Sequence, residues 1–137
     1  MKKGQALLLS VLFTALFITL SVLFTRMIYN GFAGAYAAAE RQAAFYLAEA
    51  GLEKGKVELA HNPHWYTDLP YYLEDNSNWL VNYAVGQVNP LGEGSFKTIR
   101  EKDKNWLYAV GFKGEAVAVL KLVFSNPPFK AIAWSEL

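Results

Sequence analysis

The feature that most constrains this chain is an uncharged apolar run near its N-terminus. Residues 6–25 read ALLLSVLFTALFITLSVLFT, and the next charge is Arg26. An ideal helix of this length spans about 30 Å, which matches the hydrocarbon thickness of a bilayer. We therefore expect the segment to cross a membrane once.

The charges that flank the run predict its orientation. Lys2 and Lys3 stand immediately before it. A short basic flank favours the cytoplasmic side of a membrane. We therefore expect a single-pass protein with a cytoplasmic N-terminus and an extracytoplasmic C-terminal domain.

Three interpretations of the N-terminus remain open. A cleaved secretory signal would use the small residues 33–35, although the apolar run is longer than the roughly 7 to 15 residues of such signals. A plain uncleaved anchor fits the run equally well. The third is a very short basic leader, Met1-Lys2-Lys3-Gly4, that ends in glycine directly before Gln5. Glycine suits a cleavage site because a residue without Cβ lets a protease approach the backbone closely.

The helical pattern continues well beyond the apolar run. No proline occurs from Met1 to Asn62, and residues 35–60 are rich in strong helix formers. Apolar residues recur at spacings of three, four and seven, at Phe45, Ala48, Leu52 and Leu59. This pattern predicts an amphipathic helix that ends near Ala60 and lies against a sheet.

Glycines along this helix suggest two different roles. One element from Gln5 to about Ala60 would be roughly 80 Å long. Gly31 and Gly34 lie near the junction between its apolar and amphipathic halves, where we expect a bend or local melting because glycine is a poor helix former. Gly51 and Gly55 lie in the amphipathic half, where their lack of a side chain favours close packing.

Two segments together resemble a known family. The leader MKKGQ resembles a class III prepilin leader, and residues 41–53, RQAAFYLAEAGLE, resemble the AFxxAEAGLE-type stretch of PilX-N-terminal-type minor pilins. The same region is similar to K-type minor pseudopilins of type II secretion. The resemblance covers about the first 60 residues, within a chain of 137.

This resemblance implies a structural subunit of a type IV pilus-like filament on the cell surface or in the periplasm. It implies cleavage by a prepilin peptidase after Gly4, which leaves Gln5 as the new N-terminus, and it implies methylation. The implied partners are other pilin subunits and the inner-membrane assembly machinery. The residues expected to act in assembly are Leu9, Arg26, Phe45 and Leu52.

Leu9 marks a departure from the major pilins. They carry glutamate at the fifth position of the mature chain, which is Leu9 here. Because a buried charge in lipid is tolerated when it is paired, its loss removes an inter-subunit bond. In the K-type and PilX-type families that the chain resembles, a missing glutamate goes with minor subunits that initiate assembly, so the resemblance implies a minor subunit. In the alternative, Leu9 is ordinary lipid-facing surface on a protein that never polymerises.

Residues 61–78 predict a long polar and aromatic loop, because they contain two prolines and the cluster Asp75-Asn76-Ser77-Asn78. Aromatic side chains in this loop present a candidate interface, formed by Trp65, Tyr66, Tyr71 and Tyr72. An aromatic ring with a polar tip suits a partly exposed contact between subunits. In the alternative, the rings cover a sheet edge and thicken a small core.

Strand-like runs follow the loop. They are rich in valine and aromatic residues and lie at residues 79–88, 95–100, 105–112 and 115–124. Turns are expected at residues 89–94, at 101–104 and at Lys113-Gly114. The predicted fold is α+β, a long N-terminal helix on an antiparallel sheet of about four strands. The predicted organisation is a leader at 1–4, a membrane and assembly half at 5–34 and an extracytoplasmic domain at 35–137, divided into 35–60, 61–78 and 79–137.

The composition offers little support for chemistry. There is no cysteine, so disulfides and thiol catalysis are excluded. His61 and His64 lack a third nearby metal ligand except Asp68, and we expect no metal or other cofactor. No nucleophile and base stand together, so we expect no enzyme and no small-molecule substrate.

Charge also gives little reason to expect a nucleic acid partner. From His61 onward the chain has seven basic and eight acidic residues. A basic group is present at Lys97, Arg100, Lys102, Lys104 and Lys113, but Glu101 and Asp103 interrupt it. We interpret it as a solvated hairpin face. The functional alternative to a filament subunit is a membrane-anchored binding module that does not polymerise.

Overall fold

The computed structural model describes residues 2–67, 74–126 and 128–137. These residues form two helices, α1 (Lys2–His61) and α2 (Ser77–Asn82). Five strands follow: β1 (Val88–Leu91), β2 (Gly94–Ile99), β3 (Trp106–Lys113), β4 (Ala116–Ser125) and β5 (Lys130–Glu136). The chain divides into two compact units, Met1–Ala37 and Ala38–Leu137.

Helix α1 confirms the predicted long N-terminal helix. It continues without interruption through Gly31 and Gly34, so the expected local melting there is wrong, and a bend stays a prediction. Alanines and long side chains on both sides have high helix propensity, which outweighs the cost of two glycines. The helix ends at His61, two residues before Pro63, because the residue before a proline disfavours the helical conformation.

The sheet is an antiparallel meander in the order β1-β2-β3-β4-β5. The predicted strands at 95–100, 105–112 and 115–124 agree with β2, β3 and β4 to within one residue at each end. Strand β5 was not predicted, so the sheet has five strands instead of about four. Short connections between successive strands explain the antiparallel pairing, because they are too short for a crossover.

The turns follow the predicted places with small shifts. Lys113 pairs with Ala116, so the tight turn consists of Gly114 and Glu115, one residue later than predicted. Gly114 has φ of +56°, a left-handed conformation that glycine adopts without steric cost. Residues 89–94 were predicted as a loose turn, but residues 88–91 form β1 and only Gly92 and Glu93 turn the chain.

Within the second unit, the end of α1 packs on one face of the sheet and forms the main core. The predicted stripe is confirmed: Ala48, Leu52 and Leu59 are buried and Phe45 is half-buried. They meet alternate side chains of β3 and β4, namely Leu107, Ala109, Ala118, Leu120, Leu122 and Phe124. Burial of each large side chain stabilises the fold by about 1.5–3 kcal/mol.

The packing between α1 and β3 depends on glycine. A Cβ placed on Gly111 would overlap the carbonyl oxygen of Ala44 and lie 2.6 Å from the Ala48 nitrogen. A Cβ on Gly51 would lie 2.9 Å from that of Ala109. The backbones of the helix and the strand therefore approach more closely than a side chain would permit, as expected for Gly51.

The opposite face of the sheet is covered by α2. Residues 79–88 were predicted as a strand, and that prediction is wrong except at Val88: residues 79–82 lie in α2, and residues 83–87 lie in no strand. Asn76 caps this helix, since its side chain accepts a hydrogen bond of 2.9 Å from the Trp79 amide. The second core consists of Leu80, Ala84, Ile99, Tyr108, Val110 and Val119. Both faces of the central strands β3 and β4 are thus buried in an α+β fold, whereas β5 is exposed.

Candidate functional site

The N-terminal half of α1 presents an entirely exposed apolar surface. Every residue from Lys2 to Ala39 is exposed, and the uncharged run contains large side chains from Leu7 to Phe24. Among the described residues this is the one helix that is long and apolar enough to cross a membrane. The prediction of a membrane-spanning segment is confirmed to that extent.

The polar side chains within the run have their hydrogen bonds satisfied locally. Each of its five hydroxyl groups donates to a carbonyl three or four residues earlier, over 2.6–2.8 Å. They belong to Ser10, Thr14, Thr19, Ser21 and Thr25. An unsatisfied polar group costs several kcal/mol in lipid, and this arrangement avoids that cost.

The residues of the predicted leader and the first assembly positions lie on this helix. Gly4 and Gln5 are exposed, and nothing lies within 4 Å of a Cβ built on Gly4. Leu9 is 56% exposed within the apolar surface. Arg26 is exposed immediately after the run.

The other two predicted assembly residues lie in the second unit. Leu52 is buried in the main core, where it supports the domain itself. Phe45 is half-buried and its ring centroid lies 6.2 Å from that of Trp134, edge to face. Trp134 is 61% exposed on β5, and the strand predictions did not include it. The alternation of residues along 130–136 was the sequence pattern that could have predicted this strand.

The predicted aromatic interface is divided. Trp65 packs against the main core, whereas Tyr66 is 42% exposed with its ring 5.7 Å from Lys102 Nζ. Tyr71 and Tyr72 lie outside the described residues, as does Asp68. Among the described aromatics of the loop, Tyr66 is the more exposed.

Two cations of the predicted solvated hairpin face are buried, so that prediction is wrong for them. Lys97 and Arg100 are each 5% exposed on β2 and just after it. Lys97 Nζ donates to the carbonyls of Val81 (3.2 Å) and Ala84 (3.0 Å) at the end of α2. A cation at this end of a helix satisfies carbonyls that have no partner within the helix.

Arg100 also satisfies backbone carbonyls, in the loop after α1 and in the connection between β2 and β3. Its guanidinium donates to the carbonyls of Pro63 (3.1 Å), Trp65 and Lys104 (3.0 Å). Burial lowers the pKa of Arg100, and the charge of Asp103 opposes that shift. The sequence signal for this role was weak, because a charged cluster near a turn more often indicates solvent exposure.

A third polar cluster fixes the segment before α2. Asp75 Oδ1 accepts hydrogen bonds from Lys121 Nζ (2.6 Å) and from the hydroxyl of the buried Tyr108 (2.8 Å). The hydrogen bond from Lys121 lowers the pKa of Asp75, burial opposes it, and Tyr108 lowers it further. Lys121 Nζ also lies 5.1 Å from the centre of the Trp106 ring.

The histidines take part in local backbone contacts. His61 Nδ1 lies 2.8 Å from the Val57 carbonyl oxygen, and the His64 amide donates to Asn62 Oδ1 over 3.0 Å. In residues 2–67, 74–126 and 128–137, no group of three potential metal-binding side chains comes together.

Comparison with family models, with curated proteins and with solved structures finds no match to this chain.

Proposed function

We propose that this chain is a minor pilin-like or pseudopilin-like subunit of a membrane-assembled filament. The observation that carries the proposal is the division of one 60-residue helix into two chemically different halves. Its first half is exposed and apolar, and its second half forms the core of a compact α+β unit. Such a helix joins a membrane segment to a folded domain.

The exposed half supports insertion into lipid or packing against similar helices. Its large apolar side chains are exposed, and its hydroxyls need no outside partner. The leader ending at Gly4 and the stretch at residues 41–53 add the resemblance to pilins. In this proposal the domain is extracytoplasmic and the chain catalyses no reaction.

Leu9 supports a minor role within the filament. It adds apolar surface at the position where major pilins have a glutamate, so the chain lacks a carboxylate to pair with a neighbouring N-terminal amine. A subunit of this kind contributes to initiation or to the end of a filament more readily than to its repeating body.

The first experiment is N-terminal sequencing of the membrane-extracted protein, made with and without prepilin peptidase. We expect a chain that begins at Gln5 only when the peptidase is present. Gly4→Leu should block the cut, whereas Gly31→Leu, the same substitution at a second open glycine of the helix, should not. A start at Met1 in every sample indicates a plain anchor, and a start near Tyr36 indicates a secreted domain; either contradicts the proposal.

Assembly itself needs a second experiment. The protein should co-purify with sheared filaments or their basal machinery. Replacing residues 5–34 with an unrelated membrane helix should abolish that association, because the proposal places the subunit contacts there. If the replaced chain retains its full cellular function, the anchored binding module becomes the better description.

A further inference from the structure

One side of α1 changes in character just after the uncharged run. Arg26 follows the run directly, and three large aromatic side chains come next, at Tyr29, Phe32 and Tyr36. These aromatic side chains are 73%, 73% and 68% exposed. Because a helix turns by about 100° per residue, all four side chains lie within an arc of about 120°. We call this surface the arginine-aromatic face.

The aromatic side chains of this face surround a shallow depression of about 450 Å³. Ala33 lies between Tyr29 and Tyr36 along the helix and lines the depression, as does Ala35. A tyrosine side chain is apolar along its ring and polar at its hydroxyl group, so it suits a boundary between lipid and water. The arginine-aromatic face therefore has the chemistry of a surface that lies among lipid headgroups.

The charge along this part of α1 has one sign. Residues 2–39 contain the cations Lys2, Lys3 and Arg26 and no acidic residue. Glu40 is the first acidic residue, and it lies about 21 Å beyond Arg26 along the helix, too far for an ion pair. The planar guanidinium group of arginine matches the geometry of a phosphate group. A lipid phosphate is therefore a suitable partner for Arg26.

The length of α1 determines how this face can reach the headgroups. When residues 6–25 are centred in the bilayer, Tyr36 lies about 31 Å from the midplane along the helix axis. A bilayer with its headgroups extends about 20–22 Å from the midplane, so an upright helix would hold Tyr36 in water. A tilt of about 35° toward the face brings the Tyr36 ring, about 6 Å from the axis, to about 22 Å from the midplane. Transmembrane helices tilt by up to about 40°, so this angle is accessible.

We propose that the arginine-aromatic face binds phospholipid headgroups in the leaflet on the Arg26 side of the run, and that α1 tilts toward this face. The Arg26 guanidinium binds a lipid phosphate, and the rings of Tyr29 and Tyr36 lie in the interfacial layer, where amphipathic aromatic rings are enriched. Interfacial anchors of this kind set the direction of tilt. The inference rests on the membrane insertion that is part of the proposed function, and it does not depend on leader cleavage or filament assembly.

The test measures the depth of spin labels on the full chain in vesicles of phosphatidylethanolamine and phosphatidylglycerol. The chain has no cysteine, so Gly31→Cys and Ala33→Cys each carry a single label. No atom lies within 4 Å of a Cβ built on Gly31, so a label fits there. Relaxation by oxygen, which enters lipid, and by a water-soluble nickel chelate gives the distance of each label from the midplane.

The two labels distinguish a tilted helix from an upright one. On an upright helix the Ala33 label lies about 3 Å farther from the midplane than the Gly31 label, because it is two residues later. The proposed tilt reverses this order, because Ala33 lies on the lowered side and Gly31 almost opposite. We expect the Ala33 label to lie about 3 Å closer to the midplane than the Gly31 label.

The phosphate contact has its own control. Arg26→Gln should reduce the depth difference between the two labels by about half, because the guanidinium is lost. Lys102→Gln, which changes an exposed cation of the second unit, should leave the difference unchanged. A depth difference that does not respond to Arg26→Gln would overturn the proposed phosphate contact.

A label at Ala15, within the uncharged run, separates failure of this inference from failure of membrane insertion. If nickel reaches the Ala15 label, α1 is not inserted and the proposed function fails together with this inference. If the Ala15 label is in lipid and the Ala33 label is still the shallower of the pair, the tilt toward the face is overturned alone. Spin–spin broadening at the Ala33 label that grows with the protein-to-lipid ratio would assign the depression to the helix of a second copy and overturn the proposal.

Discussion

Replacing Arg100 with methionine should strongly destabilise the unit formed by residues 38–137. Methionine keeps much of the length and apolar contact of the side chain but has no donor. The carbonyls of Pro63, Trp65 and Lys104 would each lose a hydrogen-bond partner. The guanidinium also lies 5.3 Å from the centre of the Phe124 ring, and that attraction would be lost.

The expected loss follows from these contacts. A buried polar group left without a partner costs about 1–3 kcal/mol. Water can reach part of the loop around Lys104 and replace some of the lost bonds, so we expect a total near the value for one fully unsatisfied group, about 3 kcal/mol. For a unit of this size each kcal/mol lowers the Tm by about 4–8 °C. The Tm should therefore fall by about 12–24 °C.

Thermal unfolding of the full chain in detergent micelles, followed by near-ultraviolet circular dichroism, measures this change. Arg100→Lys retains a charge and fewer donors and should lie between the parent and Arg100→Met. Lys102→Met is the matched control, because Lys102 is exposed on the same connection. A Tm for Arg100→Met within about 3 °C of the parent would show that the three carbonyls do not need the guanidinium.

Three further outcomes are expected. Asp75→Asn should lower the Tm at neutral pH, and the difference in Tm from the parent should shrink as pH falls below about 4. The folded pKa of this carboxyl lies below its unfolded value, so its contribution to stability is lost on protonation. A difference in Tm that grows in acid would refute this prediction. Gly111→Ala should cost about 1–3 kcal/mol in chemical unfolding, since its Cβ would overlap the carbonyl oxygen of Ala44, and a neutral effect would mean that the helix shifts freely. Asn76→Ala should cost about 1 kcal/mol by removing the bond to the Trp79 amide, whereas Asn76→Asp should retain most of the stability and serves as its control.

Errors in the predicted fold occurred where local propensity and tertiary packing disagree. The aromatic and β-branched residues at 79–82 predict a strand, yet they form a helix because Asn76 caps it and Leu80 fits the second core. The polar cluster before Trp79 and the four-residue spacing of Leu80 and Ala84 are sequence signals for a helix. The segment is too short for these signals to outweigh its strand propensity.

Lys97 and Arg100 show a different limit of sequence reasoning. Interleaved charges around a turn favour a solvated surface, and the sequence alone contains nothing to distinguish these two cations from Lys102. Most of their partners are carbonyls distant in the chain, up to 37 residues earlier in the case of Pro63. The carbonyl of Lys104, four residues after Arg100, is the exception. Only the folded chain brings those groups together.

The amino-acid sequence by itself determined the features that depend on neighbours along the chain. The uncharged run, the long helix with its buried stripe and the antiparallel meander follow from periodicity, glycine turns and short connections. The tertiary structure alone decided which cations are buried and that α2 covers the second face of the central strands. These properties arise from contacts between distant residues, and a linear pattern does not encode the pairing of such residues in a readable form.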